Sequence, residues 1–271
     1  MVTSPAPARG ACEIMAMQSW RPQIDRVRDH GYVVVPAFAP AEEVTKLRHV
    51  ARTQLAARSG RLELETDLRY PGAPPSRNSM GGETVRRLLD AYCRDVALAR
   101  FATAVRVREW MDSYFAEGVV LSLAHHNCLM TKHPHYGSMT GWHRDIRFWS
   151  FDREDLVSVW LALGEETIDN GALWFVPRSH TMVFDAERFD DTKFFRADRA
   201  DNANLIRQAE SPHLMPGDAV FFHCNTLHSA GKNLSDEVKF SLVYTYHGRT
   251  NPPRPGTRSA SKPEIELCAR P

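Results

Sequence analysis

The sequence predicts an α+β fold with a mainly β core, in which N-terminal helices precede a β-rich half. Two observations predict it. Before residue 117 the apolar residues recur mostly at helical spacing, and after it the chain changes to short runs of β-branched and aromatic residues separated by turn residues. Many short strands of this kind are typical of a sandwich or a barrel.

The first elements are predicted from apolar spacing and from helix-end signals. Ile24 and Val27 lie at helical spacing in a short predicted helix that ends at Gly31, and the apolar run at 32–35 indicates a strand. A proline followed by acidic residues marks the start of a second helix, which the apolar stripe extends over 41–58. The N-terminal half is therefore expected to be helical around one strand.

The rest of the chain is predicted as a loop, a helical segment and a series of strands. Residues 60–82 are rich in proline, glycine and arginine and indicate a loop or mobile flap, whereas 84–117 resumes helical patterning. Runs with strand character follow at 119–123, 128–131, 156–163, 172–176, 219–223 and 238–246. A polar stretch at 184–211 interrupts them and indicates a long insertion over one mouth of a barrel.

The chain organisation predicts a single domain over residues 20–250 with an extension at each end. Residues 1–19 lack the apolar segment of a secretory signal and are expected to be disordered, with Met15 or Met17 as an alternative first residue. Residues 251–271, which are rich in proline, arginine and serine, are expected to be an extended or disordered tail. A length of 271 residues is ample for one sizeable core.

Composition argues against several classes of partner. The net charge of +1 gives no broad basic surface for nucleic acid, and no apolar run is long enough to span a membrane. The five cysteines are scattered without a C-x-x-C pair, which argues against a disulfide framework or a zinc site and favours a reducing cytoplasm. They are Cys12, Cys93, Cys128, Cys224 and Cys268.

Two distant motifs predict a metal site. In a β-strand, His143 and Asp145 share a face because they are two residues apart, and His228 can supply a third ligand from another strand. Two imidazoles and one carboxylate leave positions open on the metal, as in the facial triad of non-haem Fe(II) oxygenases. The alternative is that these are ordinary polar residues of a β protein. His223 is a rival for His228, and His133 with His135 forms a second histidine pair that is expected to lie in a loop.

Seven ordered motifs carry a family resemblance. They lie at 31–35, 40–44, 142–145, 169–173, 177–180, 216–218 and 228–233. In this order they resemble the phytanoyl-CoA dioxygenase family over roughly residues 24–248. The resemblance implies a double-stranded β-helix (jelly roll), Fe(II) held by His143, Asp145 and His228, and 2-oxoglutarate as co-substrate. The family also includes ectoine hydroxylases and bacterial tailoring enzymes, so it leaves the substrate open.

The same resemblance implies a reaction. Oxidative decarboxylation of 2-oxoglutarate with O2 would give succinate and CO2 while a small-molecule substrate is hydroxylated. Related halogenases replace the carboxylate ligand with a small residue, so the presence of Asp145 favours hydroxylation. Two alternatives stay open: a non-catalytic binding protein that keeps the barrel, and a cupin-like metal enzyme that needs no 2-oxo acid.

The distal carboxylate of 2-oxoglutarate requires a cation. Related enzymes usually place an arginine 11 residues after the distal histidine, and that position here is Lys239. Strand alternation puts Lys239 on one face with Ser241 and Val243, and lysine lacks the planar bidentate fork of arginine. A solvated edge lysine is the alternative reading. The resemblance also implies Asn127, Trp142 and Trp160 as parts of the co-substrate wall, and Ala230 stands where many relatives carry serine.

The substrate is the least constrained part of the prediction. Arg144, Arg147, Phe148 and Trp149 follow or interrupt the metal motif, and Arg77 lies in the predicted flap. These residues suggest an anionic or polar substrate with an apolar body, although Arg144 alternates with the ligands and is expected to point away. Pairing of the arginines with the surface acids at 152, 154 and 155 is the alternative.

Overall fold

The computed structural model describes residues 19–268, which form two antiparallel β-sheets with helices against the larger one. The helices are α1 Arg21–His30, α2 Ala41–Ala56, α3 Glu65–Leu68, α4 Ala91–Arg94, α5 Val96–Ala102, α6 Val105–Phe115 and α7 Ala200–Ile206. The strands are β1 Tyr32–Val35, β2 Leu62–Leu64, β3 Val85–Leu89, β4 Val119–Lys132, β5 Thr140–His143, β6 Leu156–Ala162, β7 Leu173–Phe175, β8 Ala219–His223, β9 His228–Ala230, β10 Lys239–Gly248 and β11 Glu264–Leu267. Within the described range, the helices are too short or too polar to cross a membrane.

The strand order is that of a double-stranded β-helix. The major sheet runs β1-β8-β6-β10-β4-β3-β2, with β11 also paired to β4, and the minor sheet runs β5-β9-β7. The minor sheet faces the major sheet across a small apolar cluster to which Trp160, Phe175 and Phe222 contribute. The predicted fold class, a mainly β jelly roll flanked by N-terminal helices, is confirmed.

The outer face of the major sheet carries the helices. The predicted alternation along β10 is confirmed: Tyr244 and Tyr246 face the helical layer, and their hydroxyls donate to the carbonyls of Leu98 (3.1 Å) and Ala102 (2.8 Å) in α5. These buried phenols keep their hydrogen-bond partners, as buried polar groups must. The inner face of the same strand is therefore left for the space between the sheets.

The structure corrects the prediction for residues 60–131. The predicted loop at 60–82 contains β2 and α3, and the predicted helical segment at 84–117 begins with β3. The apolar residues of β3, at positions 85, 88 and 89, have the i, i+3, i+4 spacing of a helix, so their periodicity was ambiguous. The segment forms a strand because it pairs with β2 on one side and with β4 on the other. The two strands predicted at 119–123 and 128–131 are one strand, β4, with a register shift against β10.

The predicted tail is also corrected. Residues 251–268 are ordered, because β11 pairs with the start of β4 and Leu267 is buried against the helical core. A 3-10 turn at Arg258–Ala260 precedes this strand, and the Ser259 hydroxyl accepts a hydrogen bond from the backbone of Ser150 at 2.8 Å. The segment that was predicted as a tail therefore packs on the domain up to residue 268. Residues 1–18 and 269–271, including most of the predicted N-terminal extension and Cys12, lie outside the described range.

The predicted insertion at 184–211 has a small core of its own. Phe184, Phe189 and Phe195 pack together and against Leu227, next to the minor sheet. The backbone N–H of Phe195 donates to the carbonyl of Trp142 at 2.7 Å, which attaches the segment to β5. This hydrogen bond places the insertion close to the end of β5 that carries His143, the histidine of the metal motif.

Candidate active site

The three predicted metal ligands meet where the two histidine strands pair. His143 is the last residue of β5 and His228 the first of β9, and they are direct cross-strand partners with ring centroids 4.2 Å apart. Asp145 lies two residues after His143, as the first residue of a 3-10 turn. One nitrogen or oxygen atom from each of the three side chains lies within 4.8 Å of the others, and all three residues are buried.

Hydrogen bonds fix which atoms of the histidines face one another. The Nδ1–H of His143 donates to the Gly141 carbonyl at 2.8 Å, and that of His228 to the Thr226 carbonyl at 3.0 Å. The Nε2 atoms therefore face Asp145 Oδ1, at 3.6 Å for His143 and 3.5 Å for His228. Backbone carbonyls hold metal-ligating imidazoles in this tautomer in many proteins.

The acid–base state of the cluster suits a divalent metal. Burial, helped by the nearby His228, lowers the pKa of His143 to about 3, so its imidazole is neutral. Burial alone raises the pKa of Asp145, but the rings of His126, His228 and His143 outweigh it and hold that pKa below its usual value. Asp145 Oδ2 is buried without a hydrogen-bond partner in the part of the chain that the structure describes. A neutral imidazole and an ionised, under-satisfied carboxylate are ligand types that suit Fe(II).

A fourth side chain touches the cluster. His126 of β4 places Nδ1 at 3.4 Å from Asp145 Oδ2 and at 3.2 Å from the Ser158 hydroxyl. Its pKa is lowered to about 4, chiefly by burial. The adjacent His125 instead stacks on Trp149, with ring centroids 4.7 Å apart. Sequence reasoning could establish that neighbouring histidines differ in direction, but not which of them meets Asp145.

Two cavities meet at the metal cluster. The inner cavity lies between the sheets, and the outer cavity opens on the other side of His143. The inner cavity is lined by His143, His228, Trp160, Arg86, Arg87, Lys132, Lys239 and Ser241 among others. The outer cavity is lined by Tyr70, His125, Asn127, Asp145, Arg147, Trp149 and Arg258 among others. It encloses about 1100 Å³ including its open mouth, which is room for a small organic molecule.

Lys239 lies in the inner cavity with a partner that the sequence did not indicate. Its ammonium is 2.7 Å from Glu166 Oε2, and both side chains are buried, so the solvated-lysine reading is wrong. Glu166 Oε1 also accepts from Ser241 at 2.5 Å and from the indole N–H of Trp160 at 2.9 Å. The charge of Lys239 is thus balanced within the protein. Glu166 follows β6 next to another acid, and nothing in that local sequence marks it as buried.

The three other residues predicted to line the co-substrate site do not lie together. Trp160 borders the inner cavity, whereas Asn127 borders the outer one and accepts a hydrogen bond from the Tyr92 backbone at 2.8 Å. Trp142 packs instead with Phe195 and Leu227 beside the insertion. It does not line the inner cavity, because it alternates with His143 along β5 and so points to the other face.

The other candidate histidines are not part of the cluster. His223 ends β8, and its Nε2 is 3.7 Å from Asp155, a carboxylate outside the metal cluster. His133 and His135 lie in a tight turn after β4, as predicted for loop residues. Arg77 pairs with Asp67 at 2.8 Å and lines neither cavity at the cluster.

Two histidines and one aspartate at the meeting point of a double-stranded β-helix define the class of non-haem iron oxygenases. The family model for phytanoyl-CoA dioxygenase (PhyH) matches residues 27–241, and the chain belongs to that family. Family membership confirms the predicted class, an iron- and 2-oxoglutarate-dependent dioxygenase, together with its cofactors.

Similar proteins agree with this class. The chain is 25% identical over 223 residues to a probable alpha-ketoglutarate-dependent hypophosphite dioxygenase from Stutzerimonas stutzeri, covering 80% of this chain and 75% of that protein. Its fold is similar to EctD from S. alaskensis with 2-oxoglutarate and 5-hydroxyectoine, with a TM-score of 0.70 and 21% identity over 96% of this chain and 86% of that one. It is also similar to the epimerase SnoN in complex with Fe3+, alpha ketoglutarate and nogalamycin RO, with a TM-score of 0.69 and 24% identity over 87% and 86%.

Proposed function

We propose that this dioxygenase hydroxylates a small, anionic organic molecule and that His143, Asp145 and His228 hold its iron. The observation that carries the proposal is the convergence of the three side chains where the two cavities meet. The inner cavity is rich in cations and suits a dicarboxylate, whereas the outer cavity opens beside the same ligands and suits a substrate. Each compound would then reach the metal from its own side.

The chain's residues have distinct roles in this proposal. When bound, iron and 2-oxoglutarate would supply the oxidising chemistry: the 2-oxo acid would lose CO2 and take up one atom of O2 to become succinate, and the substrate would receive the other atom in its new hydroxyl group. The carbonyls of Gly141 and Thr226 orient the two imidazoles so that Nε2 of each would face the metal. Two aromatic rings border the cluster: Phe194 lies beside His143, and Trp149 lies beside His126.

The first test is an anaerobic titration of the Fe(II)-loaded protein with 2-oxoglutarate. Bidentate chelation of iron by a 2-oxo acid is expected to give a weak visible charge-transfer band, and oxygen is then expected to release succinate and CO2. The His143→Ala variant is expected to lose both signals. An iron-loaded protein that shows no band would instead favour a dioxygenase fold that works without 2-oxoglutarate, or a binding protein.

The anionic substrate is proposed from Arg147. Its guanidinium lies over Phe194, 4.1 Å from the ring centroid, and donates to the Tyr70 hydroxyl at 3.2 Å. Among residues 19–268 it has no carboxylate within 4.0 Å, and its Nη1 is buried without a hydrogen-bond partner. Arg144, by contrast, donates to the Ser179 and Met182 carbonyls and points away, as predicted. An unpaired, preoriented guanidinium beside the metal cluster suits a carboxylate or phosphate.

The Arg147→Met variant is expected to lower kcat/KM for an anionic substrate by about 10-fold or more, mainly through KM, because a charge-assisted hydrogen bond is lost. The measurement is succinate release stimulated by a panel of organic carboxylates, phosphate esters and their neutral analogues. Arg254→Met, a surface arginine near Asp152, is the control and should match the wild type. Equal stimulation by the neutral analogues, unaffected by Arg147→Met, would contradict the anionic substrate.

A further inference from the structure

Among the described residues, the basic side chains that border the inner cavity have one carboxylate partner too few for each of them to be paired. Four cations border it: Arg86, Arg87, Lys132 and Lys239. Three have a carboxylate partner, namely Arg86 with Glu65 at 3.1 Å, Arg87 with Glu63 at 2.9 Å and Lys239 with Glu166 at 2.7 Å. Across residues 19–268, no carboxylate lies within 4.0 Å of the Lys132 ammonium. The imbalance of one charge equals the charge of one carboxylate.

Lys132 is placed to use that charge inside the cavity. It is the last residue of β4 and the direct cross-strand partner of Lys239 on β10, so both side chains lie on the inner face. Its side chain is buried, and its ammonium donates to the Ser138 carbonyl at 2.9 Å. Burial, reinforced by the positive charges of Arg86 and Lys239, holds the pKa of Lys132 well below its ordinary value. A carboxylate bound beside Lys132 would stabilise its charged form and so oppose this lowering of its pKa.

Lys239 alone does not offer a free charge. Glu166 already occupies one side of its ammonium, and the same carboxylate accepts from Ser241 and Trp160. A second carboxylate placed against Lys239 would face Glu166 across one cation, and like charges at short range repel. A second cation is needed to hold both carboxylates, and Lys132 is the one beside it.

We infer that Lys132 supplies the charge that receives the distal carboxylate of 2-oxoglutarate, with Lys239 bridging that carboxylate to Glu166. The inference rests on the proposed function, since it concerns the co-substrate of that same site. It differs from the sequence-based expectation, in which Lys239 alone was the anchor. It makes Lys132 the residue that selects a dicarboxylate over a 2-oxo acid with one carboxylate.

The experiment compares two ligands on the iron-loaded protein without oxygen. 2-Oxoglutarate carries the distal carboxylate, and 2-oxopentanoate has the same chain length without it, so both can chelate iron and give a charge-transfer band. We expect Lys132→Met to weaken 2-oxoglutarate binding by about 10- to 100-fold, the range of a hydrogen bond to a charged group. Its affinity for 2-oxopentanoate should change by less than about threefold. The exposed Lys46→Met on α2 is the control and should change neither affinity.

A rescue variant separates charge balance from a structural effect. Lys132→Met combined with Glu166→Gln removes one charge of each sign, so the excess of one positive charge returns and Lys239 becomes free. We expect this double variant to recover 2-oxoglutarate binding to within about threefold of the wild type. Lys132→Arg should also retain binding, because it keeps the charge.

The outcomes distinguish this inference from the proposed function. Absence of the band with both ligands in the wild type would overturn the proposed function itself. A normal band combined with an unaltered 2-oxoglutarate affinity in Lys132→Met would overturn only the role of Lys132. Equal loss of both ligands in Lys132→Met, or no rescue by Glu166→Gln, would show that Lys132 supports the structure and does not bind the carboxylate.

Discussion

Replacing His228 by alanine is expected to abolish iron binding and 2-oxoglutarate turnover, whereas replacing His223 is expected to leave both near wild type. The two histidines lie five residues apart and were rivals for the third ligand position. His228 pairs with His143 and directs Nε2 to Asp145 at 3.5 Å, while His223 faces Asp155. Of these two histidines, only His228 belongs to the three-residue cluster found among residues 19–268.

The size of the effect follows from what a ligand contributes. Loss of an outer-shell partner of a metal ligand already costs about 10- to 100-fold in metal affinity or activity, so loss of a ligand should cost at least about 100-fold. Fe(II) affinity and succinate release are measured on both variants, with thermal unfolding to show that each is folded. Equal losses of Fe(II) affinity and succinate release in His228→Ala and His223→Ala, or retained iron binding in His228→Ala, would contradict the assignment of His228 as the third ligand.

The convergence of His143, Asp145 and His228 could be predicted because two of the three residues belong to one short motif. His143 and Asp145 are two residues apart, and the extended backbone of Arg144 between them keeps both side chains on one side, although β5 ends at His143 and Asp145 begins a 3-10 turn. His228 was found through the turn that follows it. The face of β10 was predictable for the same reason, since alternation along a strand needs no knowledge of its neighbours.

The partners of Lys239 and Lys132 could not be predicted in this way. Glu166 is 73 residues from Lys239 in sequence, and only the pairing of β6 with β10 brings the segment after β6 beside that lysine. Lys132 meets Lys239 through the pairing of β4 with β10. Charge compensation is a property of the assembled sheets, so the predicted free anchor turned out to be a paired one.

Packing also determines the structure of the C-terminal segment, whose composition predicted a tail. The segment 251–268 is polar, but β11 pairs with the first residues of β4. Burial of Leu267 adds to this backbone pairing. The resulting 3-10 turn supplies Arg258 to the outer cavity, and the Ser259 hydroxyl lies 2.8 Å from His125 Nε2. A segment predicted to be a tail is therefore part of the wall of the proposed substrate site.

Replacing Glu65 by alanine is expected to destabilise the protein by about 3–5 kcal/mol, the cost of leaving one member of a buried ion pair without its partner. Glu65 and Arg86 are both almost fully buried, and Glu65 also accepts from the Ser138 hydroxyl. The Arg86 guanidinium would keep its hydrogen bonds to the hydroxyls of Ser138 and Thr140 and its contact with the Tyr70 ring, but it would have lost its carboxylate partner. Urea unfolding gives the change in the free energy of unfolding.

Two further variants test whether the lost partner is the cause. Glu83→Ala breaks an exposed pair with Arg58 and should change the free energy of unfolding by no more than about 1 kcal/mol. Glu65→Leu combined with Arg86→Met replaces the buried pair by apolar side chains and should recover much of the stability, since such replacements are often neutral or stabilising. If Glu65→Ala costs no more than Glu83→Ala, the buried pair does not hold the flap segment to β3. A double variant as unstable as Glu65→Ala would instead point to lost packing at α3 and not to the unpaired charge of Arg86.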